Sequence, residues 1–139
     1  MTKNHKNPMD TASRTPHKNL GRRGWWRGYW AEHLAALYLR LYGYKILARR
    51  YAHPLGEIDV IAVRRDMLVM VEVKARPDYD AALGAVTRRQ QLRISRAAQV
   101  FLTQNRRYAH HTIRFDLIVI RPWRWPLHFK DFWRAERPF

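Results

Sequence analysis

The stretch 56–76, GEIDVIAVRRDMLVMVEVKAR, constrains this chain more than any other. Two short runs rich in Val and Ile flank the polar break Arg64, Arg65 and Asp66, which is the pattern of a β-hairpin. Alternate residues of a strand share a face, so Glu57, Asp59, Ile61 and Val63 point one way and Ile58, Val60 and Ala62 the other. On the second strand Met70, Glu72, Lys74 and Arg76 share a face, and Val69, Val71, Val73 and Ala75 form the apolar one. A two-residue loop at Arg65 and Asp66, or a four-residue loop over 64–67, sets Asp59 directly opposite Glu72, with their Cβ atoms about 4.5–5.5 Å apart.

Directly opposed like charges destabilise a sheet, so this pair needs a reason. Two carboxylates held together usually share a proton or a cation. A hard divalent ion such as Mg²⁺ takes oxygen ligands and keeps several waters, so one or two carboxylates seat it beside a phosphate. Lys74, one pleat along from Glu72, is then placed to hold a metal-bound water or to stabilise charge developing on the phosphate. The pattern suits metal-assisted phosphodiester hydrolysis. Two plainer readings compete with it. Glu72 and Lys74 can be a same-face ion pair on a solvated strand, worth little. A three-residue loop would put Asp59 and Glu72 on opposite faces.

The chain carries 27 Lys and Arg against 11 Asp and Glu, a formal charge of +16. Residues 25–120 alone hold 16 basic and 8 acidic residues, so the excess does not reside only in the tails. A field of that sign draws polyanions, nucleic acid first among them; a ribosomal surface, an anionic membrane and simple solubility answer to the same charge. With no cysteine, disulfides and Cys-based zinc sites are excluded. No stretch approaches the roughly 20 apolar residues of a membrane span, and the N-terminus lacks the apolar run of a signal peptide. The expectation is a cytoplasmic protein without a membrane partner. Its 139 residues suffice for one domain with a real core.

Residues 1–24 are polar and basic and read as a disordered tail, either an arm on nucleic acid or inert. From about Trp26 to Leu41 the helical spacing of Trp30, Leu34, Leu37, Tyr38 and Leu41 predicts a helix buried along that stripe, with Gly43 at its C-terminal cap. Glu32 falls on the far side beside Ala35 and Leu39. An acid among apolar neighbours costs free energy unless it is paired, so Glu32 is either a site residue or an exposed helix-surface acid. Residues 44–51 read as a strand whose Arg49 and Arg50 contact phosphate or solvate an edge, and 77–84 as a loop near the site with surface residues Asp78 and Asp80. A second helix spans about 87–105, with Thr87 as N-cap and Ile94, Ala97, Ala98 and Phe101 buried. Its first half carries Arg88, Arg89, Arg93 and Arg96. Arginines near a helix N-terminus oppose the macrodipole, and phosphate binding is their natural use. Gln90 lies on the buried line and faces the sheet.

Residues 113–120 give the last strand, where Asp116 makes a structural salt bridge or supports the site from behind. Residues 121–139 interleave Trp123, Trp125, Phe129, Phe132 and Trp133 with Arg and Lys. Such a run can stack bases along a phosphate backbone, fold back over the sheet, or form a homodimer contact.

Taken together, Asp59 with Glu72, Val73 and Lys74 resembles the PD-(D/E)XK nuclease signature, the first acid followed by E-x-K. More closely, the chain resembles the YraN family of bacterial proteins with a restriction-endonuclease-like fold. The matching residues are Gly28, Ala31, Glu32 and Ala35; Gly43, Tyr44, Ile46 and Leu47; Gly56, Glu57, Ile58 and Asp59; Val71, Glu72, Val73, Lys74 and Arg76; Ala85, Val86 and Thr87; and Arg114, Phe115 and Asp116. They cover most of residues 28–120. The resemblance implies an α/β fold with an α-β-β-β-α-β core and a mixed central sheet flanked by helices. It implies Mg²⁺ or Mn²⁺ held by Asp59, Glu72 and the Val73 carbonyl, with Glu32 as an accessory acid and Lys74 as the electrostatic catalyst. Nucleic acid would lie along Arg76, Arg88, Arg89, Gln90 and Arg93. Gln90 departs from the pattern: the family usually has Lys there, and a neutral amide cannot supply that charge.

The expected organisation is a tail over 1–24, a nuclease-like domain over 25–120 and an aromatic and basic extension over 121–139. The expected function is metal-dependent endonucleolytic cleavage of DNA, in recombination or repair. The competing expectation is a noncatalytic nucleic-acid-binding protein on the same fold. A pure binder gains nothing from three acids facing a polyanion, which favours the enzyme.

Overall fold

Helix α1 (Leu20–Leu41) leads through a tight turn into β1 (Lys45–His53), β2 (Gly56–Arg64) and β3 (Met67–Ala75). The short α2 (Tyr79–Leu83) and the long α3 (Arg88–Gln104) follow, then a single 3₁₀ turn at Arg106–Tyr108, β4 (Thr112–Ile120) and β5 (Leu127–Trp133). These elements come from a computed structural model that describes residues 20–135, with side chains of α1 placed from Gly28 onward. The tail expected over 1–24 lies outside the described residues as far as residue 19; from Leu20 the backbone is already helical. The last four residues of the expected C-terminal extension also lie outside.

The five strands form one mixed sheet in the order β1-β2-β3-β4-β5. Only β3 and β4 run parallel, and α2 and α3 make the crossover that a parallel pair requires. The hairpin closes on a two-residue turn: Arg64 pairs with Met67, and Arg65 adopts φ 55°, the left-handed backbone that such turns favour. This register is one of the two that set Asp59 opposite Glu72. The paired ladder runs from Arg64 to Val60, and beyond it β2 pairs as a strand with β1 alone.

A helix covers each face of the sheet. On one face Ile94, Ala97, Ala98 and Phe101 of α3 pack on Ile61, Leu68, Met70, Leu117 and Val119. The other face joins Ala31, Ala35 and Leu39 of α1 to Val60, Ala62, Val69, Val71, Val73 and Ile118. The hairpin faces therefore follow strand alternation, except that Ile58 packs with the α3 cluster instead of joining Val60 and Ala62. It lies past the end of the β2–β3 ladder, where the strand is free to turn.

Both major helices are capped as their sequences suggest. Gly43, at φ 84°, lets its N–H reach the Arg40 carbonyl while the Tyr44 N–H reaches that of Leu39, which is the Schellman arrangement. Thr87 and Gln90 form a reciprocal capping box at the start of α3.

Two expectations are corrected, and of the alternatives for the C-terminal run the structure has the one that folds back onto the sheet. The stripe Trp30, Leu34, Leu37 and Leu41 does not enter the core: these residues are exposed, and Tyr38 is half-buried. The opposite face packs inward because Ala31 and Ala35 let the helix approach the sheet closely, with Leu39 filling the remaining space. Residues 77–84 contain α2, with the Asp78 carboxylate accepting the Ala81 N–H at 2.8 Å. The extension from 121 supplies β5, pairing antiparallel with β4, and Trp133 is buried on Phe115 with ring centroids 5.4 Å apart. Trp123 and Trp125 remain exposed.

Asp116 explains how β5 is fastened. Fully buried on β4, it receives both arms of Arg114 at 2.8 Å, His128 Nε2 at 2.6 Å and the backbone N–H of Asp131 at 3.0 Å. Burial opposes its charge, but the His128 and Arg114 hydrogen bonds prevail and hold the carboxyl below its usual range. The role is structural, as the salt-bridge reading of the sequence has it.

Candidate active site

The Asp59 carboxylate turns toward β3 and accepts the backbone N–H of Val73 at 2.8 Å. Glu72 is buried beside it, and Lys74 reaches Glu72 at 3.2 Å. The Glu72–Lys74 ion pair on a solvated strand is thus half right: the pair forms, but with both side chains nearly enclosed. An enclosed pair leaves little water to share the charge, so the three groups depend on one another.

Electrostatics mark the site. Burial first, then the Glu72 charge, push the Asp59 carboxyl up to about 8, against the lowering effect of the Val73 hydrogen bond. Burial raises Glu72 as well, and Lys74 opposes that rise. A carboxylate pair whose charged form is penalised is a feature of catalytic and cation-binding sites, and of some structural networks.

A cleft of about 210 Å³ opens over this pair, lined by Glu57, Asp59, Glu72, Gln90, Arg93 and Ile94. Gly56 brings α3 there. A Cβ at that position would lie 2.0 Å from the Arg93 carbonyl oxygen, so only glycine permits the helix backbone to rest on β2. Of the residues expected to touch nucleic acid, Gln90 and Arg93 border the acidic pair, and Arg88 and Arg89 lie exposed on the first turn of the same helix. Arg76 stands just past β3, its guanidinium on the Ala75 carbonyl at 2.9 Å. Gln90 spends its side-chain oxygen on the Thr87 N–H.

Glu32 is buried, as an acid among apolar neighbours on α1, and Arg50 pairs with it. Its charge still reaches Asp59 and adds to the rise there. The pairs Arg49–Val60 and Tyr51–Ile58 put Arg50 opposite Asp59, and Arg50 takes φ 51° at that point. Arg49 donates to His33 Nδ1 at 3.1 Å. Both arginines thus serve as links from β1 to α1. Among the described residues no three His, Asp or Glu side chains converge closely enough to ligate one ion. The oxygen donors gathered in the cleft are the Asp59 and Glu72 carboxylates, with Glu57 on the same wall, hard ligands of the kind divalent cations take.

Two contributions were not read from the sequence: Glu57 on the cleft wall, and Arg50 as the partner of Glu32. Glu57 could have been found from strand period alone, since it shares a face with Asp59. Arg50 could not, because its placement depends on a left-handed residue inside a strand. A larger cavity of about 890 Å³ lies elsewhere, between the end of α3 and β5, and none of these acids lines it.

The comparisons agree with the resemblance. Residues 31–120 match the family described as "Uncharacterised protein family UPF0102". A UPF0102 protein of Chelativorans sp. (strain BNC1) is 46% identical over 114 residues, which span 82% of this chain and 92% of that protein. One from Sinorhizobium medicae (strain WSM419) is 47% identical over 105 residues, 76% of this chain and 86% of the relative. Another from Bartonella tribocorum (strain CIP 105476 / IBS 506) is 42% identical over 124 residues, covering 89% and 95%. With the family's span including α1, the acidic hairpin, α3 and β4, the chain belongs to the UPF0102, or YraN, family.

Proposed function

We propose that this protein is a divalent-metal-dependent endonuclease that hydrolyses phosphodiester bonds in DNA, in recombination or repair in the cytoplasm. The observation that carries the reading is the buried Asp59 and Glu72 pair, facing each other across the hairpin with Lys74 attached and Arg93 at the rim. Asp59, Glu72 and the Val73 carbonyl are the groups that would hold Mg²⁺ or Mn²⁺. Because N–H and C=O of one strand residue point to the same neighbour, the Val73 carbonyl is directed with its N–H toward β2. Bound there, the ion would supply Lewis acidity and lower the pKa of a water. Lys74 would stabilise charge developing on the phosphate, and Arg93 with Arg88 and Arg89 would align the backbone. Glu32, tied to Arg50, would act from outside the cleft by holding water or biasing Asp59.

The test is Mg²⁺- and Mn²⁺-dependent cleavage of labelled single-stranded, duplex, flap and four-way-junction DNA, with Asp59→Asn alongside. Cleavage abolished by the substitution, with binding nearly unchanged, supports the reading. Equal activity of the variant would sink it.

One observation favours a second reading, a noncatalytic nucleic-acid-binding protein. Glu32 is paired with Arg50 and does not join the acidic pair in the cleft. Salt-sensitive binding without turnover, and no metal affinity at Asp59 and Glu72, would select it.

A further inference from the structure

Among the described residues, the face of α1 turned away from the sheet is apolar and uncovered. Trp30, Leu34, Leu37 and Leu41 are 58%, 45%, 52% and 65% exposed. Their spacing of four, three and four residues is the seam of a two-helix coiled coil. The patch continues past the helix. The Tyr38 ring lies 4.7 Å from that of Tyr42, half exposed, and 6.0 Å from Trp125, also largely exposed.

We infer that this face is a homodimer interface, the α1 stripe of one copy packing on that of a second across a twofold axis. This goes beyond the nuclease reading and does not depend on it. Three observations choose a second copy as the occupant.

The first is charge. From Trp30 to Leu41 the only formally charged side chains are Glu32, buried against Arg50, and Arg40 at the flank. On a chain of net charge +16 the stripe itself carries a single outward charge, with Arg64 on the Tyr42 carbonyl at 3.2 Å and Arg124 next to Trp125 at its edge. A polyanion or an anionic membrane would find few cations on it, whereas an identical apolar face is complementary to it.

Area is the second. At the roughly 150–250 Å² that a large aromatic side chain offers, and somewhat less for Leu, the exposed fractions of these four residues with Tyr42 and Trp125 amount to about 600–700 Å². That exceeds the largest apolar patch of most monomers and approaches the ~800 Å² per partner of a stable interface.

The third is composition: the stretches outside the described residues are poor in the large apolar side chains that such a face would bind. Residues 1–19 contain no Leu, Ile, Val, Phe, Tyr or Trp, and residues 136–139 hold a single Phe. A twofold contact needs only one self-complementary patch, which this stripe supplies.

The experiment is sedimentation equilibrium of the full chain from 1 to 100 µM, in about 0.1 and 0.5 M salt, with the Leu34→Glu/Leu37→Glu variant beside it. Wild type is expected at twice the 16.8 kDa chain mass. Dimerisation should tighten at high salt as repulsion between two basic chains is screened. Burying a carboxylate in the seam should weaken it at least about 100-fold, with the melting temperature of the variant monomer unchanged, because both leucines are exposed within each copy. As a check independent of stability, Leu37→Cys in this cysteine-free chain should be joined by a short bis-maleimide, and Arg107→Cys should not. A monomer at 100 µM in both salts would overturn the inference. So would a dimer indifferent to the double substitution. A wild-type monomer that floats with 3:1 POPC/POPG vesicles, and loses this in the variant, would overturn it in favour of a lipid surface.

Discussion

Asp59 accepts the Val73 backbone N–H just beyond Val60 and Val71, the last paired residues of the β2–β3 ladder. A carboxylate side chain thus takes over a hydrogen bond that a strand backbone would otherwise make. That fixes its oxygens beside Glu72 and leaves its own charge in a buried place.

Stability follows from this position. The Asp59 carboxyl rises from 3.8 to about 8 in the folded protein, so the folded state binds its proton more tightly than the unfolded chain. The contribution of Asp59 is therefore fully present at low pH and is lost as pH rises toward 8. Asp59→Asn keeps an oxygen for the Val73 N–H and removes the charge. In metal-free buffer it should stabilise the protein at pH 8 by a few kcal/mol, at about 1.4 kcal/mol per pKa unit, and by almost nothing at pH 4. Urea denaturation at both pH values measures this. An equal effect at both would show that the charge is not what is felt.

Lys74 bears on the neighbouring acid. Its removal leaves Glu72 buried without its counter-charge, while a methionine in its place keeps the packing. Lys74→Met should cost up to about 3–5 kcal/mol at pH 8, since breaking an enclosed ion pair strands one charge. The loss should shrink at pH 5 because the Glu72 carboxyl, already raised by burial, then takes up a proton more readily. Paired melts at the two pH values give the comparison.

Gly56 fixes the distance between α3 and β2. A methyl group there meets the Arg93 carbonyl carbon at 2.6 Å and its oxygen closer still, so Gly56→Ala must push the helix off the strand. Overpacking of this kind costs about 1–3 kcal/mol. Because Arg93 and Gln90 move with the helix, nucleic-acid affinity should fall as well, unlike the effect of a core change at Ala98. A melting curve and a filter-binding titration on the same samples test both halves.

How far the sequence reaches depends on how many solutions a pattern admits. The hairpin was legible because strand period two and a short polar break leave few registers, and one of those expected sets Asp59 against Glu72. Helix α3 was legible because it has one apolar line, 94, 97, 98 and 101, and that line is buried. Helix α1 has two candidate faces. Apolar spacing selects the larger side chains, but the sheet selects the smaller ones, since Ala31 and Ala35 allow close approach while Trp30 and Leu34 would hold the helix away. Periodicity cannot weigh those alternatives. Strand β5 was hidden for another reason: its place depends on Asp116, which binds both Arg114 and His128, and such a distant bond leaves no local pattern. The Glu32–Arg50 pair combines both difficulties, a helix face and a left-handed strand residue.

That tertiary bond has its own consequence. Asp116→Ala leaves the half-buried Arg114 guanidinium donating to the Tyr44 hydroxyl at 2.8 Å but without its counter-charge. It also frees the Asp131 N–H. The loss should be about 3–5 kcal/mol, and β5 amides should exchange faster than those of β2 by native-state hydrogen exchange. Uniform exchange across the sheet would contradict the fastening of β5 through Asp116.

The basic rim separates binding from chemistry. If Arg93 contacts phosphate beside the acidic pair, its replacement by Ala removes one released counterion, so the slope of log K against log salt should fall by about 0.9 for duplex DNA. Asp59→Asn should leave that slope nearly unchanged, since it removes charge of the opposite sign from a buried position. Titrations from about 50 to 200 mM salt resolve the two cases. A slope unmoved by Arg93→Ala would place the polyanion elsewhere on the chain. It would also leave Arg93 with no work beyond resting its carbonyl against Gly56, whereas a shifted slope would align the DNA backbone with the two carboxylates best placed to act on it.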